Sequence, residues 1–292
     1  MIDTNTSLVA LLGYPLEHSL SPLMHNTIFK ELNLNYRYLP IEIKENNLAE
    51  LINAFRFMNI IGFNVTKPHK IKVMEYLDEI DELTEKIAAV NTVKKVNGKL
   101  VGYNTDGIGF IKSFEEELDS KIKNKSFLIL GAGGASRSIA FNLANKGAEK
   151  IIIIAKHYDY GSQLCSGINE LGKTSALHFN LKRSKIKEAL KRVDVLINAT
   201  GVGMYPEVNK SPIDKELLND DLIVCDLIYN PLKSKLLEDA EEIGARTLNG
   251  LGMLIYQGAE AFKIWTGKEA PVEKMFKIIY DEINNSNWMN KQ

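Results

Sequence analysis

Short apolar runs alternate with helical patterns along the first hundred residues. Leu8–Leu12 reads as a strand, followed by a loop holding Pro15, Ser19 and Ser21. Ser21-Pro22 marks a helix start, with Ser as N-cap and Pro at the first helical position. Tyr36–Ile43 reads as a second strand and Leu48–Met58 as a helix. A third strand, Ile61–Val65, ends at Thr66, and Pro68 opens another helix. Asn97-Gly98 lies between Val93–Val96 and Leu100–Tyr103, which is the signature of a two-residue hairpin. This alternation predicts an α/β domain with a mostly parallel sheet.

A second unit begins near Ser126. Phe127-Leu128-Ile129-Leu130 is a short buried strand that runs into Gly131-Ala132-Gly133-Gly134-Ala135-Ser136 and then a helix to about Lys146. Lys150–Ala155, Val193–Asn198 and Leu222–Asp226 read as further strands. After Gly250 the pattern turns helical, over Met253–Trp265 and Val272–Ile283. Asn284 to Gln292 is polar and reads as a frayed tail. The expected fold class is therefore α/β: an N-terminal α/β domain, a Rossmann-type doubly wound parallel sheet, and C-terminal helices that return to the first domain. The corresponding boundaries are 1–107, 108–249 and 250–292.

Bulk composition narrows the function without choosing it. Apolar residues make up 45% and charged residues 25% of 292, as in an ordinary soluble globular protein. The 36 Lys and Arg against 37 Asp and Glu give a formal charge of −1, without the positive excess that nucleic-acid phosphates require. Two cysteines, Cys165 and Cys225, make no disulfide framework and fit a reduced, cytoplasmic setting. The first apolar run is too short for a secretory signal, and no segment approaches a membrane span. The five histidines lack a convincing metal-ligand set and no G-x-S-x-G is present, so no metal and no serine hydrolase are expected.

Candidate chemistry concentrates in the glycine turn and in polar segments at strand ends. A strand, then G-x-G-x-x-S, then a helix is the dinucleotide-binding context. Gly131 permits the tight turn, Gly133 lets backbone approach a pyrophosphate, and the helix N-terminus supplies free N–H groups. Ser136 stands where a third glycine is usual. The next strand ends Ala155-Lys156-His157 with no acid at its tip, so Lys156 favours NADP over NAD, with Asp159 close enough to complicate the choice. The polar segments are His18-Ser19-Leu20-Ser21-Pro22, Asn64-Val65-Thr66-Lys67-Pro68-His69-Lys70, Val90-Asn91-Thr92 and Tyr103-Asn104-Thr105-Asp106-Gly107. Each also fits a plain structural role: Ser21 and Asp106 as helix caps, Asn64 and Thr66 as turn groups.

In this order the segments resemble the shikimate dehydrogenase family, including its quinate/shikimate dehydrogenase branch. The matching pieces continue through Asn198-Ala199-Thr200, Tyr229-Asn230-Pro231, and Asn249-Gly250-Leu251-Gly252-Met253-Leu254 leading to Gln257-Gly258-Ala259. The resemblance implies an NADP-dependent, reversible oxidation of shikimate to 3-dehydroshikimate, a step of aromatic amino acid and chorismate biosynthesis. It implies that Ser19, Ser21 and Tyr229 hold the substrate carboxylate, and that Asn64, Thr66, Asn91, Asp106 and Gln257 meet the ring hydroxyls. Lys70 and Asp106 correspond to the catalytic pair. Gly131, Ala132, Gly133, Gly134, Ala135 and Ser136 correspond to the phosphate loop, and Leu227 and Gly250 to positions bordering the nicotinamide. The chain departs from the family at Ala155-Lys156-His157, where NADP-dependent members carry Asn-Arg-Thr. Lys keeps the charge of Arg but not its planar grip.

Oxidising an alcohol requires a hydride acceptor and a group to manage the hydroxyl proton. Two roles are open to Lys70: general base, or a cation that stabilises the developing alkoxide while Asp106 and water carry protons. Quinate, and NAD as cofactor, remain alternatives, the former suggested by Ile264-Trp265-Thr266-Gly267-Lys268. A non-catalytic nucleotide-binding regulator on the same scaffold would be expected to lose Lys70 or Asp106, and both are present. The expected partner is a small molecule, with no nucleic acid and no membrane, and the chain is a monomer or a homodimer.

Overall fold

The computed structural model describes residues 2–285, and it divides into two compact units. One runs up to Thr105 and resumes at Gln257; the other is Asp106–Tyr256. The remainder of the expected tail, residues 286–292, lies outside the described residues.

The first unit contains β1 (Ser7–Gly13), α1 (Ser21–Glu31), β2 (Tyr36–Glu42), α2 (Leu48–Phe55), β3 (Ile60–Val65), β4 (Glu79–Ile80), α3 (Glu82–Ile87), β5 (Thr92–Val96) and β6 (Lys99–Tyr103). Its sheet has the order β2-β1-β3-β5-β6-β4. β1 pairs in parallel with β2 and β3, whereas β5 is antiparallel to β3 and β6. The hairpin falls where Asn97-Gly98 places it, with φ of 50° and 82° at the two turn residues, as the right-handed strand twist requires. On one face Ala10, Leu12, Phe63 and Val93 pack against Leu48, Ile52 and Phe55 of α2.

Two local expectations need correction. Pro68 does not open a helix: turns follow it, then a 3-10 segment at Lys72–Tyr76. An α-helix would need the Lys70 carbonyl to accept from Met74, but that carbonyl accepts from Val90 N–H at 2.7 Å, and Met74 N–H turns to Ile71. The His69 side chain is buried there, with Nε2 2.7 Å from the Ile43 carbonyl oxygen. Ser21 is likewise not the N-cap of α1. Leu20 occupies that position, its carbonyl already accepting from Met24 N–H, so Ser21 is the first helical residue.

The second unit contains α4 (Asp106–Glu117), β7 (Ser126–Leu130), α5 (Gly134–Asn145), β8 (Lys150–Ala155), α6 (Tyr158–Glu170), β9 (Ser175–Asn180), α7 (Arg183–Leu190), β10 (Val195–Asn198), β11 (Ile223–Asp226), α8 (Lys235–Glu242) and β12 (Arg246–Leu248). All its pairings are parallel, in the order β12-β11-β10-β7-β8-β9. Parallel strands with both faces covered read as continuous apolar runs, and Phe127–Leu130 and Ile151–Ile154 are buried at every position. The strand order reverses direction between β7 and β10, which is the Rossmann-type arrangement. The chain returns to the first unit within α9 (Leu251–Thr266), and α10 (Val272–Asn285) follows.

In the first unit, His25 of α1 stacks on Tyr38 at 4.6 Å and meets the edge of Trp265 of α9 at 5.4 Å. Burial holds its imidazole down to about 3, so it packs as a neutral aromatic ring.

Candidate active site

In the first unit the polar residues converge on a buried network. Tyr38 donates its phenolic hydrogen to Asn64 Oδ1 at 2.7 Å. Asn64 Nδ2 donates to the Asn91 carbonyl and to Thr92 Oγ1, both at 3.0 Å. Thr92 Oγ1 donates onward to Asn91 Oδ1 at 3.0 Å, which also accepts from Thr105 N–H at 2.8 Å. Asn91 Nδ2 donates to Thr105 Oγ1 at 2.9 Å and to Gln257 Oε1 at 3.4 Å. β3, the turn into β5, the residues after β6 and helix α9 thus bring Asn64, Asn91, Thr105 and Gln257 into one set.

Ser21 is buried and Ser19 half-buried, and Ser19 Oγ accepts from Ser21 N–H at 3.4 Å. Burial pushes the pKa of the Tyr38 phenol up. Thr66 and Lys70 are half-buried on the segment after β3. Thr66 N–H donates to the Leu12 carbonyl at 2.8 Å, so that segment stays tied to β1.

Tyr38 and Thr92 are central to this network, yet sequence reasoning did not select them as site residues. Tyr38 sits in the mixed polar and apolar strand β2 with nothing local to mark it. Thr92 lies in the Val90-Asn91-Thr92 segment, and its place at the start of β5 beside Asn91 is the signal that points to it.

In the second unit Asp106 is the first residue of α4 and is buried. The next residue, Gly107, donates its N–H to Ser138 Oγ of α5 at 2.7 Å, which fixes the start of α4 on α5. Gly131 has φ of 106°, a conformation that strongly favours glycine, and its N–H donates to the Ile154 carbonyl at 2.8 Å. Gly133 is the N-cap of α5, exposed, with open space where a side chain would project. Among the described residues no side chain caps α5 and no acid lies in its first turn. Its leading N–H groups and positive helix end therefore suit a pyrophosphate.

Gly134 and Ala135 are half-buried, as are Gly131 and Ala132. Ser136 is fully buried, and its hydroxyl finds no partner among the described residues. Lys156 is exposed just beyond β8, and His157, Tyr158 and Tyr160 are exposed after it. On the other side of the strand-order reversal, Gly250 closes tightly on Leu227. A Cβ at Gly250 would collide with the Leu227 carbonyl, and Gly250 N–H donates to the Ile228 carbonyl at 3.0 Å. Tyr229 is half-buried, and its surroundings raise the phenol pKa.

Among the described residues no cluster of His, Cys, Asp or Glu could hold a metal ion, and no helix is long and apolar enough to cross a membrane.

The chain is similar to known proteins along most of its length. Residues 11–93 match the shikimate dehydrogenase substrate binding domain, 113–227 the shikimate/quinate 5-dehydrogenase model, and 250–277 the shikimate 5'-dehydrogenase C-terminal domain. A shikimate dehydrogenase (NADP(+)) of Methanocaldococcus jannaschii is 48% identical over 97% of this chain and 99% of its own length. Among solved structures, shikimate 5-dehydrogenase of Listeria monocytogenes in complex with shikimate and NAD has a TM-score of 0.89 at 38% identity, covering 95% of this chain and 98% of its own. A shikimate dehydrogenase in complex with NADP+ has a TM-score of 0.87 at 45% identity, covering 97% of this chain and 98% of its own. With both units matched and the motifs in their expected order, the chain belongs to the shikimate dehydrogenase family.

Proposed function

We propose that this protein oxidises shikimate to 3-dehydroshikimate with NADP+, reversibly, and that the reduction is the biosynthetic direction. The observation that carries this reading is the near-full-length match to NADP(+)-dependent relatives, which spans both the hydroxyl-binding network and the glycine turn. When bound, the nicotinamide supplies the hydride acceptor. The uncapped N-terminus of α5 and the Gly131–Ser136 turn would hold its pyrophosphate, and Lys156 its 2′-phosphate.

The chain's own groups do the rest. Ser19, Ser21 and Tyr229 are assigned to the carboxylate. Asn64, Thr66, Asn91 and Gln257 are assigned to the ring hydroxyls. The network bears on how they act: both Asn64 amide hydrogens are already engaged, so that side chain has only acceptor capacity left at Oδ1. Lys70 and Asp106 are assigned to the reacting hydroxyl's proton, with Asp106 also orienting that hydroxyl. We place the protein in the cytoplasm on its composition and two buried, free cysteines.

The decisive experiment is a steady-state comparison of shikimate and quinate, each with NADP+ and NAD+. The reading expects the highest kcat/KM for shikimate with NADP+. Preference for quinate with NAD+ would replace it with a quinate dehydrogenase.

A further inference from the structure

Asp226 ends β11 and is 1% exposed. A buried carboxylate is costly unless hydrogen bonds replace its lost water. Three donors do so here. Asn198 Nδ2, at the end of β10, and the Ile228 N–H donate to Oδ1 at 3.0 and 3.1 Å. Ser234 Oγ lies 2.6 Å from Oδ2. That serine is the N-cap of α8, and its oxygen accepts from Leu237 N–H at 3.4 Å, so its one hydroxyl proton is left for Asp226. All three contacts are donations from neutral groups, the set that an ionised carboxylate, which only accepts, can satisfy. Burial raises the carboxyl above its ordinary range, and the three donors oppose that rise.

The network pins both sides of one residue. Leu227 N–H donates to the Asn198 carbonyl at 3.0 Å, Ile228 N–H is held by Asp226, and the Ile228 carbonyl accepts from Gly250. Leu227 is thereby fixed although it is itself only half-buried. In a doubly wound sheet a dinucleotide straddles the strand-order reversal. The glycine turn and the β8 tip serve the adenine half. The carboxyl ends of β10 and β11 then fall to the nicotinamide half.

We infer that Asp226 is a positioning residue for the nicotinamide half of the cofactor: its carboxylate, with Asn198 and Ser234, sets the conformation of Leu227–Ile228. This rests on the NADP reading above.

The test uses the full chain and two ligands, NADP+ and adenosine 2′,5′-bisphosphate, which carries the adenine end and the 2′-phosphate but no nicotinamide. Their dissociation constants are measured by calorimetry on wild type, Asp226→Asn and Ser234→Ala. Asp226→Asn keeps the shape and should weaken NADP+ roughly tenfold, the scale of one hydrogen bond to a charged group. The bisphosphate should bind as to wild type. Ser234→Ala should show the same split at smaller size, and it decides the matter if the Asn variant does not fold. Equal losses for both ligands would mean a general disturbance of the second unit and would overturn the inference, as would no loss for either. A wild-type protein that binds neither ligand would sink the cofactor reading itself, and this inference with it.

Discussion

The Tyr38 phenol and the Asn64 amide share a 2.7 Å hydrogen bond inside the first unit, and no other donor to Asn64 Oδ1 is seen among the described residues. Tyr38→Phe leaves that oxygen without its donor, at a cost of about 1–3 kcal/mol. Urea unfolding should show the loss, and the KM for shikimate should rise several-fold while the KM for NADP+ holds. An unchanged KM for shikimate would detach this network from substrate binding.

Lys70→Ala should cut turnover by roughly 10²–10⁴-fold, the scale of losing a positioned acid–base group. The shikimate KM should move less, because Ser19, Ser21 and Tyr229 remain. Weaker binding with near-normal turnover would instead mark Lys70 as a ground-state contact. Asp106→Asn should also be slow. The free-energy losses of the two substitutions should fall short of additive in the double variant, and full additivity would argue that the two groups work independently.

Lys156→Ala should raise the KM for NADP+ more than that for NAD+, since the 2′-phosphate needs a nearby cation. Equal effects on the two cofactors would remove Lys156 as the discriminator.

Asp78 supplies a pH signature. The Arg56 guanidinium, 2.5 Å away, and the Leu100 N–H at 2.7 Å hold its carboxyl below the ordinary range. A carboxyl depressed by folding adds stability that is full above its unfolded pKa and is lost as pH falls through the folded one. Asp78→Asn should therefore unfold at lower urea than wild type at about pH 7, with the gap narrowing as pH falls below the ordinary carboxylate range. A gap that persists in acid would show that shape, not charge, is responsible.

Long-period signals were legible in the chain; contacts made at a distance were not. Lys150–Ala155 reads as a strand because five of its six residues are apolar, and it is β8. The glycine turn is visible because backbone geometry demands glycine at Gly131. β9 was missed: at the sheet edge its Leu177 is exposed and His178 interrupts the apolar run, so the buried-strand pattern is broken. β12 is too short, at three residues, to show any period. The absent helix after Pro68 depends on Val90 capturing the Lys70 carbonyl, a partner twenty residues away. Ser21 and Asp106, which read as caps, instead sit inside the first turn of their helices. Of the site, the segments were legible and the wiring among them was not.

The first unit is built from two stretches of chain with the second unit inserted between them. Its core closes through the later stretch: Trp265 Nε1 donates to the Val93 carbonyl at 3.0 Å, and Phe262 stacks on Phe29. A ribosome releases the chain from its N-terminus, so the residues up to Thr105 emerge long before the helices that complete their packing. Asp106–Tyr256 is contiguous and can close first. Nascent chains stalled once Tyr256 has cleared the exit tunnel should resist protease over the second unit and be cut before Thr105. Extension past α10 should extend protection to the first unit. Protection of the early residues before α9 is complete would show that they fold without it. The N-terminal unit is thus the last to finish, and during synthesis it is the part most in need of shelter from aggregation.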